Sequence, residues 1–164
     1  MLFTEKQYFK QIWLWAIILI TTPISILPIV NSSEVNLVSL LICLVPTLLI
    51  IILFLVMNLK TSINQKSIDI QFFPFIRKPK SFLWDDIQKI ELKKYQPLVE
   101  YGGWGIRGLG DDKAYNIKGN IGLKLFLKNG KKVMIGTQNP KNLNKVIAEI
   151  CKSQKIPFHN SLTE

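Results

Sequence analysis

Two long segments without a charged residue, 11–33 and 35–59, constrain the fold more than any other feature of this 164-residue chain. Each is longer than the ~20 residues that an α-helix needs to cross the hydrocarbon core of a bilayer. The short polar segment NSSE, Asn31 to Glu34, separates them. The sequence therefore predicts a helical hairpin that spans a membrane, with helices at about residues 11–30 and 36–58.

Two other structures could contain a pair of apolar helices, and the sequence favours neither of them. Helices buried in a soluble core normally carry a polar stripe at helical spacing, which both segments lack. A cleaved signal peptide has a shorter apolar core and a small-residue cleavage site, whereas here a second apolar segment follows almost directly. Pro23, Pro28 and Pro46 lie inside the segments, where membrane helices tolerate proline as a kink.

The lysines that flank the apolar segments predict their orientation. Lys6 and Lys10 precede the first segment, and Lys60 and Lys66 follow the second. The connecting residues carry no positive charge and one acid, Glu34. By the positive-inside rule, we expect both termini of a multi-pass protein to lie in the cytoplasm.

The remainder of the chain, residues 60–164, is predicted to form one small cytoplasmic domain, beside a transmembrane hairpin of residues 1–59. Apolar and polar residues alternate along much of this domain, which is typical of half-buried antiparallel strands. The inward-facing members of the alternation are Ile68, Ile70, Phe72, Ile90, Leu92, Ile121, Leu123, Leu125, Leu127, Val133 and Ile135. Asn129-Gly130 separates two of the strands and predicts a hairpin with a type I′ turn.

The last predicted element has a different period. Asn139 can cap a helix whose first residue is Pro140, where the missing N–H costs nothing. One apolar stripe at helical spacing follows, made of Leu143, Val146, Ile147 and Ile150. The domain is therefore predicted to contain six or seven antiparallel strands closed by one C-terminal helix at about residues 140–153.

Three segments carry a resemblance to a known family: LWDDIQKIEL (83–92), YGGWGIR (101–107) and the long segment 113–147 that ends in IGTQNPKNLNKVI. Together with the order of the predicted elements, they resemble small bacterial membrane proteins that carry a pleckstrin-homology-like domain behind a two-helix transmembrane hairpin. The resemblance implies an α+β membrane protein of the bacterial inner membrane, with a pleckstrin-homology-like β-barrel or sandwich capped by the C-terminal helix. Members of the broader fold that bind phosphoinositides use a basic first hairpin, whereas INQKSID here offers only Lys66.

The segment EYGGWGIRGLG (100–110) contains the spacing G-x-G-x-x-G at Gly103, Gly105 and Gly108. A dinucleotide-binding loop would also need a helix after the glycines and an acid about 20 residues further on. The sequence after Gly108 has no helical apolar stripe, and no Asp or Glu occurs between Asp112 and Glu149. We therefore predict no nucleotide cofactor.

Two interpretations of the glycine segment remain. The glycines permit positive φ and close backbone approach, which suits a bulged or sharply bent strand. Alternatively, the segment faces a ligand, because binding residues often lie in loops on a rigid sheet. In that case Tyr101, Trp104, Arg107 and Tyr115 would form an aromatic and basic surface for a peptide or an anionic headgroup.

The formal net charge of +10 also has two interpretations. Its densest cluster is Arg77, Lys78 and Lys80, in a predicted turn FIRKPKSF, which could face anionic lipid at the inner leaflet. Alternatively, the lysines are solvated and reflect coding bias, since 21 residues are Lys or Arg but only Arg77 and Arg107 are arginine. No recognition helix or stacking motif accompanies the charge, so we expect no nucleic-acid partner.

Residues with catalytic potential are scattered along the chain. His159 is the only histidine, and Cys151 has no histidine beside it to act as a base. The pairs Asp85-Asp86 and Asp111-Asp112 are adjacent in sequence, so in a strand the two members would face opposite sides. We therefore expect no enzyme, no metal site and no cofactor. Cys43 and Cys151 are also too few for a disulfide framework.

The sequence thus predicts a membrane-anchored, non-catalytic binding or scaffold module that presents its domain to the cytoplasm and binds a protein partner. The alternative is a membrane-surface sensor whose basic domain docks on anionic lipid headgroups.

Overall fold

A computed structural model describes residues 2–31 and 36–162. Most of the predicted NSSE connection therefore lies outside the described residues. The chain divides into two compact units. One is helical and comprises Phe9–Met57; the other is rich in β-structure and contains the described residues up to Tyr8 and from Asn58 onward.

The helical unit contains two helices, α1 (Ile12–Val30) and α2 (Leu37–Val56). Both are long and apolar enough to cross a membrane, and neither has a buried residue. The three prolines of the apolar segments lie inside the helices, as predicted. The helices contact each other, and the Sγ of Cys43 in α2 lies 3.8 Å from the carbonyl oxygen of Ser25 in α1. The two predicted apolar helices are therefore confirmed.

The residues before α1 form a strand, β1 (Phe3–Tyr8), that sequence analysis did not predict. β1 pairs antiparallel with β2 (Asn58–Ile63), the strand that follows α2, in a register that runs from Phe3 opposite Ile63 to Tyr8 opposite Asn58. The described residues up to Tyr8 thus belong to the β-rich unit, whereas the predicted transmembrane hairpin of residues 1–59 included them. The strand was missed because only Phe3 and Gln7 are buried in it, and Gln7 is polar.

The β-rich unit contains two separate sheets. The first has four antiparallel strands in the order β1-β2-β3-β4, where β3 is Ser67–Phe73 and β4 is Ile76–Leu83. The remaining strands are β5 (Ile87–Lys94), β6 (Gly105–Arg107), β7 (Asp112–Asn116), β8 (Ile121–Leu127), β9 (Lys132–Gly136) and β10 (Phe158–Asn160). They form the second sheet in the order β10-β5-β8-β9-β7-β6. Two helices complete the unit, α3 (Pro97–Tyr101) and α4 (Pro140–Gln154).

The observed sheets correct the expected fold in three respects. The described residues form ten strands rather than six or seven, and the sheets do not close into a barrel. Two pairs are parallel, β7 with β9 and β5 with β10. Helix α4 is not the last element, because Lys155 ends it in a left-handed conformation and the chain returns to pair β10 with β5. A strand of three residues carries too short an alternation for sequence analysis to detect.

The alternating strands and the last helix otherwise agree with the sequence. All the expected inward-facing strand residues are buried except Ile121, which is half-buried. Asn139 caps α4 by accepting a hydrogen bond from the Asn142 amide, and Pro140 is the first helical residue. Leu143, Ile147 and Ile150 of the apolar stripe are buried, whereas Val146 is only half-buried.

The hairpin between β8 and β9 is present, but its turn is not of type I′. A type I′ turn needs positive φ at both central residues. Here the Gly130 amide donates to the Leu127 carbonyl at 3.0 Å, so the central residues are Lys128 and Asn129, and neither has positive φ. Gly130 alone takes a left-handed φ of 82°, which is typical of a three-residue hairpin loop.

The participation of β1 in the β-rich unit predicts the effect of Phe3→Ala. Phe3 is buried, so its truncation should lower the free energy of unfolding of this unit by about 3 kcal/mol. Thr4→Ala, at the exposed neighbouring position, should change it by less than about 0.5 kcal/mol. Denaturant unfolding of the full-length protein in detergent micelles, followed by near-UV circular dichroism, measures both. Equal effects of the two substitutions would contradict the pairing of β1 with the sheet.

Candidate functional site

The glycine segment forms a helical turn followed by a short strand, rather than a single bent strand. Helix α3 begins at Pro97 and ends at Tyr101. Gly102 caps it with a φ of 73°, and the Gly102 amide donates to the Leu98 carbonyl at 3.1 Å. Strand β6 then pairs antiparallel with β7. Proline at the start and glycine just after the end are the usual signals of a helix, so α3 could have been identified from sequence.

Gly108 is the glycine whose lack of a side chain the fold requires most. Its φ is 94°, and a Cβ at this position would lie 2.1 Å from the carbonyl oxygen of Asp112. At Gly110, whose φ is also positive, no atom lies within 4 Å of such a Cβ. Because Gly108 has no side chain, its backbone can approach that of Asp112 closely, and the chain turns tightly from β6 into β7.

Two of the four predicted ligand-facing residues lie on the surface beside this turn. The indole Nε1 of Trp104 donates to the Gly119 carbonyl at 3.1 Å, and Trp104 is half-buried. Arg107 is exposed, and its Nε donates to the Trp104 carbonyl at 2.9 Å. These contacts hold Arg107 and Trp104 together at the start and end of β6.

The other two predicted ligand-facing residues are buried. Tyr115 is 2% exposed and Tyr101 is 9% exposed. Tyr115 points into the unit from β7, where its hydroxyl accepts a hydrogen bond from Lys80 at 3.2 Å. The expected aromatic and basic surface therefore reduces to Trp104 and Arg107, because Tyr115 is buried and Tyr101 is almost completely covered.

Tyr101 belongs to a cluster of three polar side chains. Its hydroxyl donates to Asp112 Oδ1 at 3.1 Å, and Lys124 Nζ donates to Asp112 Oδ2 at 3.0 Å and to the Tyr101 hydroxyl at 3.3 Å. Desolvation raises the pKa of Tyr101, although the contact with Lys124 opposes this. Burial would lower the pKa of Lys124, but its hydrogen bonds to Asp112 and Tyr101 outweigh burial and raise it. The cluster thus keeps Tyr101 neutral and Lys124 charged.

A second buried polar network fastens β6 to the sheet. Asn116 Oδ1 accepts a hydrogen bond from the Gly105 amide at 2.9 Å, and Asn116 Nδ2 donates to the Tyr95 hydroxyl at 2.8 Å. Gly136 allows this arrangement, since a Cβ there would lie 2.8 Å from the Cβ of Asn116. Burial is the main cause that raises the pKa of Tyr95, from its usual 10.0 to about 12.

An open cleft of about 640 Å³ lies between α3 and the β6–β7 turn. Its lining includes Tyr101, Ile106, Arg107, Leu109 and Asp112. Leu109 is 94% exposed. On the neighbouring helix α3, Val99 is 79% exposed and Leu98 is also well exposed. We call Leu98, Val99, Ile106, Arg107 and Leu109 the α3–β6 surface.

Sequence analysis missed the apolar residues of the α3–β6 surface. Leu98, Val99 and Leu109 do not belong to an alternating or helical stripe, so nothing in the local pattern marks them as exposed. A feature that could have drawn attention to them is their position beside the glycines.

The predicted lipid-facing cations lie on strand β4 rather than in a turn. The turn occupies Pro74 and Phe75, and β4 begins at Ile76. Arg77 and Lys78 are exposed. β4 is an edge strand of the four-stranded sheet, so one of its sides is not covered by another strand within the described residues.

Lys80 differs from its two basic neighbours, because it is engaged with the second sheet. Lys80 is also exposed, but it is paired with buried Ile70 and therefore lies on the face of β4 that is turned toward the second sheet. Its Nζ contacts the Tyr115 hydroxyl and lies 5.5 Å from the ring centroid of Phe82. Lys80 thus links the two sheets, whereas Arg77 and Lys78 remain candidates for a lipid contact.

Comparison with protein-family models gave no match, and comparison with curated proteins gave none either. Within residues 2–31 and 36–162, no three His, Cys, Asp or Glu side chains cluster in a way that could hold a metal ion. The candidate sites are therefore argued from their own geometry.

The close contact at Gly108 predicts a difference between two alanine substitutions. Gly108→Ala should lower the free energy of unfolding by about 2 kcal/mol more than Gly110→Ala, since both residues have positive φ but only Gly108 faces backbone atoms. Thermal unfolding of the two full-length variants in detergent measures the difference. Equal midpoints would show that the β6–β7 turn is not held as tightly as described.

The raised pKa of Tyr95 predicts a loss of stability at high pH. Between pH 10 and about 12 the folded state keeps the Tyr95 proton while the unfolded state loses it. The stability from this group is complete below pH 10 and falls as the pH rises toward 12, by at most about 2.7 kcal/mol.

Tyr95→Phe removes the titrating hydroxyl and serves as the comparison. The variant loses the hydrogen bond with Asn116, so its stability should be lower throughout. Its decline between pH 9.5 and 11.5 should nevertheless be shallower than that of the parent protein. Denaturant midpoints at several pH values measure both slopes, and parallel slopes would rule out the proposed shift.

Proposed function

We propose that this protein is a membrane-anchored, non-catalytic binding module of the bacterial inner membrane. Its β-rich unit is pleckstrin-homology-like, faces the cytoplasm, and binds an extended segment of a protein partner at the α3–β6 surface. The observation that carries the proposal is an open sheet edge beside exposed apolar side chains, at β6, Val99 and Leu109.

The anchoring part of the proposal is supported by the two apolar helices and by the strands that flank them. Tyr8, four residues before α1, pairs with Asn58, two residues after α2. Two segments that are hydrogen-bonded in one sheet lie on the same side of a bilayer, so the chain leaves and returns on that side. Lys6 and Lys60 occupy this sheet, which favours the cytoplasmic side.

The pleckstrin-homology-like part is supported by the order of elements after the helices. Two sheets of mainly antiparallel strands are followed by one amphipathic helix, α4, which buries Leu143, Ile147 and Ile150. Strand β1 precedes the apolar helices and β10 follows α4. Each lies at the edge of its sheet, so the order of the elements between α2 and α4 is unaffected.

Strand addition is the binding mode that the α3–β6 surface favours. Among the described residues, β6 is the last strand of its sheet, so its outer side offers unpaired backbone groups. Exposed sheet edges bind extended peptides through main-chain hydrogen bonds, and nearby pockets select their side chains. Leu98, Val99 and Leu109 would contact apolar residues of the peptide, and Arg107 would favour an acidic residue.

The polar groups nearest this surface are engaged in structural contacts. Tyr101, Asp112 and Lys124 bond to one another, and the raised pKa of Tyr101 keeps its hydroxyl protonated. Arg107 Nε is bound to the Trp104 carbonyl. This arrangement suits recognition of a peptide rather than chemistry on it.

Site-specific photo-crosslinking in native membranes tests the proposal. A photoreactive residue at position 109 of the full-length protein should give a discrete adduct with one protein, and the same residue at Leu83 should not. Leu83 is an exposed apolar residue of β4 and serves as the matched control position.

A substitution then checks that the surface itself binds. Val99→Asp should reduce the adduct at position 109 about tenfold, since it places a charge in an apolar contact without disturbing a buried residue. Leu83→Asp should leave the adduct unchanged. Equal adducts from positions 109 and 83, or an adduct unaffected by Val99→Asp, would contradict the proposal.

A further inference from the structure

The chain connects one end of the four-stranded sheet directly to the two apolar helices. Tyr8 of β1, Asn58 of β2 and Phe73 of β3 form a single row, because Asn58 is paired with both of the others. Tyr8 directly precedes the helical unit, and Asn58 directly follows it. The row therefore marks the end of the sheet from which the chain enters and leaves the helices.

The turn between β3 and β4 projects from this same end and exposes aromatic rings. Phe75 is 61% exposed and Phe73 is 37% exposed, with Pro74 between them. Single exposed apolar residues are common, but here two rings and a proline occupy one hairpin tip. We call residues 73–75 the aromatic tip.

Chain length limits how far the aromatic tip lies from the end of α2. Asn58 comes two positions after Val56, the last residue of α2, and Phe73 is the neighbour of Asn58 across the sheet. An extended chain covers at most ~3.6 Å per residue and paired strands are ~5 Å apart, so Phe73 lies within roughly 12 Å of the helix end. One headgroup layer is roughly 5–8 Å deep, so an α2 that ends at the hydrocarbon boundary keeps the aromatic tip in this layer or directly beside it.

Cations occupy the next row of the sheet, away from the helices. Lys6 and Lys60 are paired with each other and lie two residues from Tyr8 and Asn58, on the same side of the sheet. Arg77 and Lys78 lie beyond them on β4, where the Arg77 carbonyl accepts a hydrogen bond from Gln71, the partner of Lys60.

Glu5 of β1 faces the second sheet, where it accepts a hydrogen bond from the Thr137 hydroxyl. On the opposite face, which carries the cations, the nearest acidic group belongs to Asp69. It lies two residues beyond Gln71 along β3 and accepts hydrogen bonds from Asn64 and Ser67. The carboxylate of Asp69 is thus bound by two residues, Asn64 and Ser67, that lie further from the aromatic tip. The order along the sheet, from the helices outward, is aromatic rings, cations and then the bonded acid.

This order matches the layers of an anionic membrane interface. Aromatic rings prefer the boundary between hydrocarbon and headgroups, and lysine or arginine is attracted to the anionic headgroups above it. We propose that the aromatic tip, with Arg77 and Lys78, docks onto anionic phospholipid of the same membrane that the helices span. The proposal rests on the membrane-anchoring part of the proposed function and not on the α3–β6 surface.

The test places an environment-sensitive fluorophore at the aromatic tip of the full-length protein. Phe75→Cys, in a background with Cys43→Ala and Cys151→Ala, is labelled and reconstituted into vesicles of phosphatidylcholine with one quarter phosphatidylglycerol. A quencher attached near the headgroup of a lipid should quench this probe at least threefold more strongly than a probe at Leu83→Cys. Leu83 is exposed and lies at the opposite end of β4.

Charge is tested with the same probe. The quenching at position 75 should fall at least twofold in the double variant Arg77→Gln, Lys78→Gln. It should fall as much in vesicles of phosphatidylcholine alone. Lys80→Gln serves as the control and should leave the quenching unchanged, because Lys80 bonds to Tyr115. Quenching that is insensitive to all of these changes would overturn the role of anionic lipid. Phe73→Asp should reduce the quenching as well.

Flotation of the vesicles separates this proposal from its premise. Protein that floats with the vesicles at alkaline pH, but whose probes at positions 75 and 83 are equally quenched, overturns the docking of the aromatic tip alone. Protein that does not float overturns the membrane anchor, and with it both proposals. Floating protein with selective, charge-dependent quenching at position 75 supports the docking.

Discussion

The antiparallel pairing of β1 with β2 is the interaction on which the other features of this structure depend. These two strands flank the apolar helices, so the helical unit is in effect a long insertion between neighbouring strands. Tyr8 is paired with Asn58, and Asn58 is paired with Phe73 on its other side, so these three residues define one end of the first sheet. A backbone ladder is well suited to this role, since a shift of one residue would turn Phe3 and Gln7 outward.

The β-rich unit is held together by polar contacts as well as by its apolar core. Gln7 of β1 donates to the Gly136 carbonyl of β9 at 2.8 Å, and Glu5 accepts from the Thr137 hydroxyl at 2.7 Å. These contacts link the first sheet to the second, as Lys80 does through Tyr115. Because the N-terminal strand supplies Glu5 and Gln7, the two sheets and the ends of the helical insertion are coupled through the same few residues.

The two exposed apolar regions of this unit differ in their settings. The aromatic tip lies at the end of the sheet that the chain ties to the helices and has cations in the neighbouring row. The α3–β6 surface is built on the other sheet, at an edge strand supported by buried Asn116 and by the close contact at Gly108. The first region is therefore the one proposed to contact lipid, and the second is the one proposed to bind a peptide.

The sequence by itself determined the elements whose pattern is local. The two apolar helices, the alternating strands at Ile68–Phe72 and Leu123–Leu127, and the cap of α4 at Asn139 all follow from residues a few positions apart. Only the tertiary structure decided that β1 belongs to the sheet, that Tyr101 and Tyr115 are buried, and that Leu109 is exposed. The physical reason is that a strand's pairing and a side chain's burial depend on partners far away in the chain, and local periodicity carries no information about them.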